Sequence, residues 1–96
     1  MGKELTIYWS PQADYSYNEI LDKIEAKWSL TEVNNFDDKA MKLVNLLKIQ
    51  HKMCPASKKN NIRKCVITSQ TSVVYRVTRV NIELVDFIDN RTDHNF

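Results

Sequence analysis

Leu5, Ile7 and Trp9 alternate with Glu4, Thr6 and Tyr8. A period of two predicts a short strand with one buried face. The strand stops at Ser10-Pro11, where the serine suits a helix N-cap and the proline suits the first helical position, which needs no amide donor. Ala13, Tyr17, Ile20, Leu21, Ile24 and Trp28 then recur at spacings of three and four, with Asp14, Asn18, Asp22 and Glu25 between them. This predicts an amphipathic helix. Ser29-Leu30-Thr31-Glu32 reads as a capping box for a second helix, with Trp28 and Val33 placed to form a hydrophobic staple. Its stripe runs through Val33, Phe36, Ala40, Leu43, Val44 and Leu47 to about Gln50, with a kink allowed at the weak helix formers Asn34-Asn35. Two amphipathic helices joined this closely fold back as an αα-hairpin.

From His51 to Asn61 the period is lost and Pro55 intervenes, which predicts a basic loop. Three short β-branched runs follow, at Ile62–Thr68, Ser72–Thr78 and Ile82–Ile88. Ser69-Gln70-Thr71 and Arg79-Val80-Asn81 are the turns between them. The expected order is β-α-α-β-β-β in a single α+β domain spanning residues 1–96, with the N-terminal strand and the helical hairpin packed on an antiparallel sheet.

Composition narrows the chemistry. Average usage would place about seven glycines in 96 residues, and the chain has one, Gly2. Glycine-rich phosphate loops are therefore excluded, and tight turns are expected to lean on Asn and Asp in left-handed backbone. Any contact with a polyanion must come from side chains. No apolar run approaches a membrane span and no apolar leader opens the chain, so the expected location is cytoplasmic. Cys54 and Cys65 are too few for a disulfide framework, and each is expected as a free thiol, Cys65 buried and Cys54 exposed in the loop. Zinc binding by His51, Cys54, Cys65 and His94 lacks the second closely spaced pair of a structural site. Neither a metal nor another cofactor is expected.

The formal net charge is only +2, but residues 39–79 carry ten Lys or Arg and no Asp or Glu. Residues 1–38 hold eight carboxylates against three lysines. A carboxylate-free stretch of this length suits a polyanion or an acidic protein segment. The alternative is a solvated face whose counter-charges fold over it from the acidic N-terminal third.

The order of elements, with these residues, resembles the RelE/ParE superfamily of toxins from bacterial type II toxin–antitoxin systems. "IYWSPQAD" (7–14) is similar to the family's first strand and Ser-Pro-capped helix, and "IRKCVI" (62–67), "VVYRV" (73–77) and "IELVDFIDNR" (82–91) to its last three strands. The ending Asp89-Asn90-Arg91-Thr92-Asp93 resembles the close of many chromosomal members. The resemblance implies a growth-arresting, plasmid-stabilisation type toxin held by a cognate antitoxin in a hetero-oligomer. Its target would be DNA gyrase in the ParE-like branch, or the ribosome and its mRNA in the RelE-like branch.

Metal-free RNA cleavage needs a base, cations for the developing phosphorane charge, and an acid for the leaving oxygen. The candidate binding cations are Lys58, Lys59, Arg63, Lys64, Arg76 and Arg91, and the candidate acid–base groups are His94, His51 and Tyr75. If the chain is a nuclease, Arg91 and His94 are the expected catalytic pair. The resemblance places basic residues at positions held here by Ser72 and Cys65, and a tyrosine near Phe96. That nuclease set is incomplete, which favours binding and blocking a target over cleavage. A non-toxic interaction module that keeps the fold is the third reading. Arg76 is expected in a structural role, Lys58 and Lys59 on a solvated loop, Trp9 and Trp28 in the core, and Tyr8 and Tyr15 exposed.

Overall fold

The computed structural model describes residues 4–57 and 61–90. Strand β1 (Thr6–Trp9) leads into helix α1 (Pro11–Lys27) and helix α2 (Leu30–Leu47), followed by β2 (Arg63–Val66), β3 (Thr71–Val77) and β4 (Asn81–Asp89). The β-α-α-β-β-β order is the one predicted. Both helix starts form as their residues dictate. Ser10 accepts from the Ala13 amide at 3.0 Å, and Ser29 accepts from the Glu32 amide at 3.4 Å. Helix α2 continues through Asn34 and Asn35 without interruption.

The four strands lie in the order β1-β4-β3-β2. β2, β3 and β4 pair antiparallel through short turns, as expected of consecutive strands. β1 enters parallel to β4, with Ile7 opposite Ile82 and Trp9 opposite Leu84. The sheet is therefore mixed rather than antiparallel, and the N-terminal strand belongs to it rather than packing on it. Strands running in the same direction need a long crossover connection, and most of the chain, including the helical hairpin, lies between this pair.

β1 is only four residues long, so it leaves part of the β4 edge uncovered, and α1 takes its place. Opposite Val74 and Tyr75 the register shifts, so that Asp86 and Leu84 are paired and Val85 is the extra residue of a bulge. The Ser10 hydroxyl donates to the Val85 carbonyl at 3.0 Å, and the Phe87 amide donates to the buried Ser16 hydroxyl at 3.0 Å. Backbone groups freed by the bulge thereby find partners.

One face of the sheet carries Ile7, Trp9, Cys65, Val73, Tyr75, Ile82, Leu84 and Phe87 against Ala13, Tyr17, Phe36, Ala40, Val44 and Leu47 of the helices. Tyr17 is at the centre, with ring centroids 4.8 Å from Phe87, 5.3 Å from Trp9 and 5.9 Å from Phe36. Its hydroxyl donates to the Asp37 carboxylate, tying α1 to α2.

The turns depart from expectation. No described residue has a positive φ, so neither Asn nor Asp adopts left-handed backbone there. Threonine closes both hairpins instead. Thr68 Oγ1 accepts from the Gln70 and Thr71 amides, each at 3.2 Å, and Thr78 Oγ1 accepts from the Val80 and Asn81 amides at 3.3 and 3.0 Å. A side-chain acceptor two or three residues upstream does the work of a left-handed residue.

Cys65 is buried as expected and Cys54 only half-buried, but neither is a free thiol. Cys54 and Cys65 form a disulfide, with their Cα atoms 5.4 Å apart, a span a disulfide bridges without moving the backbone. The segment after α2 brings this about by returning alongside β2, where Ala56 bridges Arg63 in antiparallel fashion. That approach is tertiary, and a separation of 11 residues carries no sign of it.

Candidate functional site

The face of the sheet turned away from the helices presents Tyr8 from β1, Lys64 and Val66 from β2, Arg76 from β3, and Glu83 and Asp86 from β4. The pleat places them there, because each is one position out of phase with a core residue. Tyr8 is 49% exposed and Val66 64%. Across this face the two cations of β2 and β3 face two carboxylates of β4. Arg76 Nε lies 3.3 Å from Glu83 Oε1, and Lys64 and Asp86 share one row, on either side of Val74. Counter-charge for Arg76 therefore comes from the next strand of the same hairpin, not from the acidic helices.

Arg63 is out of phase with Lys64 and serves the loop. Its Nη1 donates to the Cys54 carbonyl at 2.6 Å and the Lys52 carbonyl at 3.3 Å. Of the six candidate cations, only Lys64 and Arg76 therefore meet on one described face. Lys58, Lys59 and Arg91 lie outside the described residues, as does His94. The rest of the 39–79 stretch is scattered: Lys39 and Lys42 on α2, Lys48 at its C-cap, Lys52 in the loop, Arg79 in the last turn. A stretch continuous in sequence is divided in space because it crosses a helix, a loop and two strands.

The two acid–base candidates within the described residues are both committed to main-chain contacts. His51 Nε2 lies 2.8 Å from the Lys48 carbonyl, and the Tyr75 hydroxyl donates to the His51 carbonyl at 3.0 Å. Tyr75 is wholly buried on the helix-facing side. Burial pushes its phenol above the ordinary tyrosine value, with the Arg63 charge acting in the opposite direction. Ser72 is also buried, and its hydroxyl donates to Asn90 Oδ1 at 2.5 Å. Asn90 Nδ2 in turn donates to the Thr68 and Ser69 carbonyls, so this asparagine clips the β2–β3 turn to the end of β4.

A second surface was not legible in the sequence. Trp28 is 64% exposed, against its expected place in the core. It caps α1 with φ −120° and ψ −92°, so it leaves the helical phase on which its stripe position depended. The Lys27 ammonium lies 5.6 Å from the centroid of its ring, within the range of a cation–π contact. Beside it, an open cleft of about 390 Å³ runs between α1, α2 and the 68–71 turn. Ile20, Ile24, Trp28 and Phe36 supply its apolar lining, and Lys23, Lys27 and Lys39 contribute cations. Glu32 and Asp89 also line it. Lysines at positions 23 and 27 share a helix face, which was the signal available in the sequence.

Among the described residues, no group of three or more His, Cys, Asp or Glu side chains is placed to hold a metal. No helix among them is long and apolar enough to cross a membrane.

No protein-family model matches the sequence, and no curated protein matches it. Solved structures do. A chain of the chromosomal ParDE TA system from P. aeruginosa superposes with a TM-score of 0.77 over 92% of this chain and 98% of its own length, at 13% identity. A copper-bound mutant toxin from Helicobacter pylori gives a TM-score of 0.61 over 91% of this chain and 96% of its own, at 18% identity. At such identities the likeness is one of fold. The chain therefore has the fold of the RelE/ParE superfamily toxins.

Proposed function

We propose that the chain is the toxin of a type II toxin–antitoxin system, acting in the cytoplasm and neutralised by a cognate antitoxin in a hetero-oligomer. Its action is to bind and block an essential target, with DNA gyrase as the target class. The observation that carries the preference for blocking over cleavage is the fate of the described acid–base candidates. His51 and Tyr75 are bonded to main-chain carbonyls, and Tyr75 is buried away from Lys64 and Arg76. Of the positions where the nuclease branch is basic, Ser72 is buried and bonded to Asn90, and Cys65 is bonded to Cys54.

Expression without a partner tests this directly. Growth should stop while mRNA stays intact and plasmid supercoiling falls. Unchanged growth removes the toxin reading and leaves an interaction module. Cuts mapping within translated codons, and lost in an Arg91→Ala, His94→Ala double variant, would establish the second reading, a ribosome-dependent mRNA endonuclease. That alternative rests on Arg91 and His94 alone.

For the antitoxin, the cleft beside Trp28 is the better-suited surface. Apolar walls with three lysines complement an acidic segment bearing an apolar anchor, the usual form of helix-in-groove recognition. Exposed tryptophans are common binding hot spots. Trp28→Ala should weaken binding of the purified antitoxin by about tenfold or more, about 1.4 kcal/mol, with the unfolding midpoint nearly unchanged because the ring is not in the core. Titration calorimetry beside a urea melt would check both halves.

A further inference from the structure

β2 is an edge strand, and its outer edge is occupied by the chain's own loop. The Lys64 amide donates to the Pro55 carbonyl at 3.3 Å, and the Ser57 amide donates to the Ile62 carbonyl at 2.8 Å. Ala56 completes the bridge to Arg63. Among the described residues this cover is two or three residues long, with no strand of its own. The Cys54–Cys65 bond fastens it to the sheet.

The two sulfurs sit in unlike places. Cys65 is 1% exposed in the core, whereas Cys54 is only partly buried in the loop. Thiol–disulfide exchange is an in-line attack that needs access to one sulfur, and Cys54 is the more exposed residue of the two. No carboxylate occurs between positions 39 and 79, the Arg63 guanidinium rests on the Cys54 carbonyl, and Lys52 is two residues away. Cations near a cysteine stabilise its thiolate, which helps Cys54 to leave when the mixed disulfide is resolved.

We propose that Cys54–Cys65 is a redox-reversible clasp, opened by a dithiol reductant and governing the cover on the β2 edge. One thiolate of the reductant attacks Cys54 Sγ; the Sγ–Sγ bond breaks, and Cys65 leaves as a thiolate that takes up a proton. The reductant's second thiolate then attacks its own sulfur in the mixed disulfide and releases Cys54. Two electrons and two protons pass to the pair, and the reductant becomes a disulfide. Once open, the 54–57 segment is held to β2 by hydrogen bonds alone, and the outward amide of Lys64 is free to exchange or to pair with another strand. Disulfides in a reducing compartment are mostly transient or redox-sensing, which is the behaviour assigned here.

Hydrogen exchange on the full chain, oxidised with glutathione disulfide or reduced with dithiothreitol, tests the clasp. Reduction should speed exchange at the Ser57 and Lys64 amides by about tenfold or more, as expected of local opening. The β3–β4 amides should be unaffected. Timed alkylation followed by mass spectrometry should label Cys54 before Cys65. Cys54→Ser and, independently, Cys65→Ala should reproduce the reduced pattern without reductant, so that misfolding of one variant leaves the other to decide. Unchanged exchange at Ser57 and Lys64 would overturn the proposal, because the hydrogen bonds would then hold the loop unaided. So would loss of protection throughout the sheet, which marks a structural staple, or failure of the pair to form under glutathione disulfide.

Discussion

Replacing Phe87 by alanine should lower the unfolding free energy by about 3–5 kcal/mol. The residue is 3% exposed, stacks on Trp9 at 5.4 Å and meets Tyr17 at 4.8 Å. Cavities of this kind cost most where the surroundings cannot collapse, and here the backbone is held on both sides. The Phe87 amide is bonded to Ser16, and Val73 faces it across the ladder. Domains of this size are stable by only about 5–15 kcal/mol, so the variant should be close to unfolding at physiological temperature. Urea melts of wild type, Phe87→Leu and Phe87→Ala give the measurement, with the leucine variant expected between the other two. A loss below about 1 kcal/mol for alanine would mean that the aromatic cluster is not the centre of the core.

The second large effect appears in alkali. Burial first, then the hydrogen bond to Asp37 and its negative charge, push the Tyr17 phenol far above its ordinary value. Burial also raises Tyr75. A phenol whose pKa is higher in the folded state stabilises fold fully below the unfolded value, about pH 10. That contribution is lost as pH climbs toward the folded value, because the unfolded chain releases a proton the folded chain retains. Tyr17 removes up to about 1.4 kcal/mol per pH unit in that window, and Tyr75 acts in the same direction. The urea midpoint should be nearly flat from about pH 8 to 9.5 and fall steeply above pH 10. A Tyr17→Phe, Tyr75→Phe double variant, less stable at neutral pH, should show a markedly shallower fall. An equal slope in both proteins would assign the alkaline transition to other groups, the lysines foremost.

The acidic and basic blocks illustrate how far linear pattern reaches. Ten cations without a carboxylate suggest one positive surface, yet Arg76 pairs with Glu83 on the next strand, and Lys39 joins Lys23 and Lys27 at a cleft. Arg63 resembles its neighbours in composition but, one step out of phase, spends its guanidinium on two loop carbonyls. Charge is a property of a residue, whereas potential depends on which residues fold next to one another. Trp28 shows the same limit on the apolar side: its spacing fits the stripe of α1, but a helix ends when its dihedrals change, and from there the spacing no longer states where a side chain points.

Local rules were sufficient for the elements. Period two at Leu5–Trp9, the Ser10 and Ser29 caps, the stripes of both helices and the three β-branched runs each depend on interactions within a few residues, so they are legible wherever the sequence is read. The glycine shortage belongs here too, although its consequence is borne by Thr68 and Thr78 rather than by Asn or Asp. Other features arise only between distant segments. The parallel docking of β1 on β4, the bulge at Val85 sealed by Ser10 and Ser16, and the meeting of Cys54 with Cys65 each require parts of the chain to be brought together by burial. Burial of apolar area is non-directional; it favours compactness without naming partners. Partners are then selected by backbone hydrogen bonding and close packing, and both require the assembled fold.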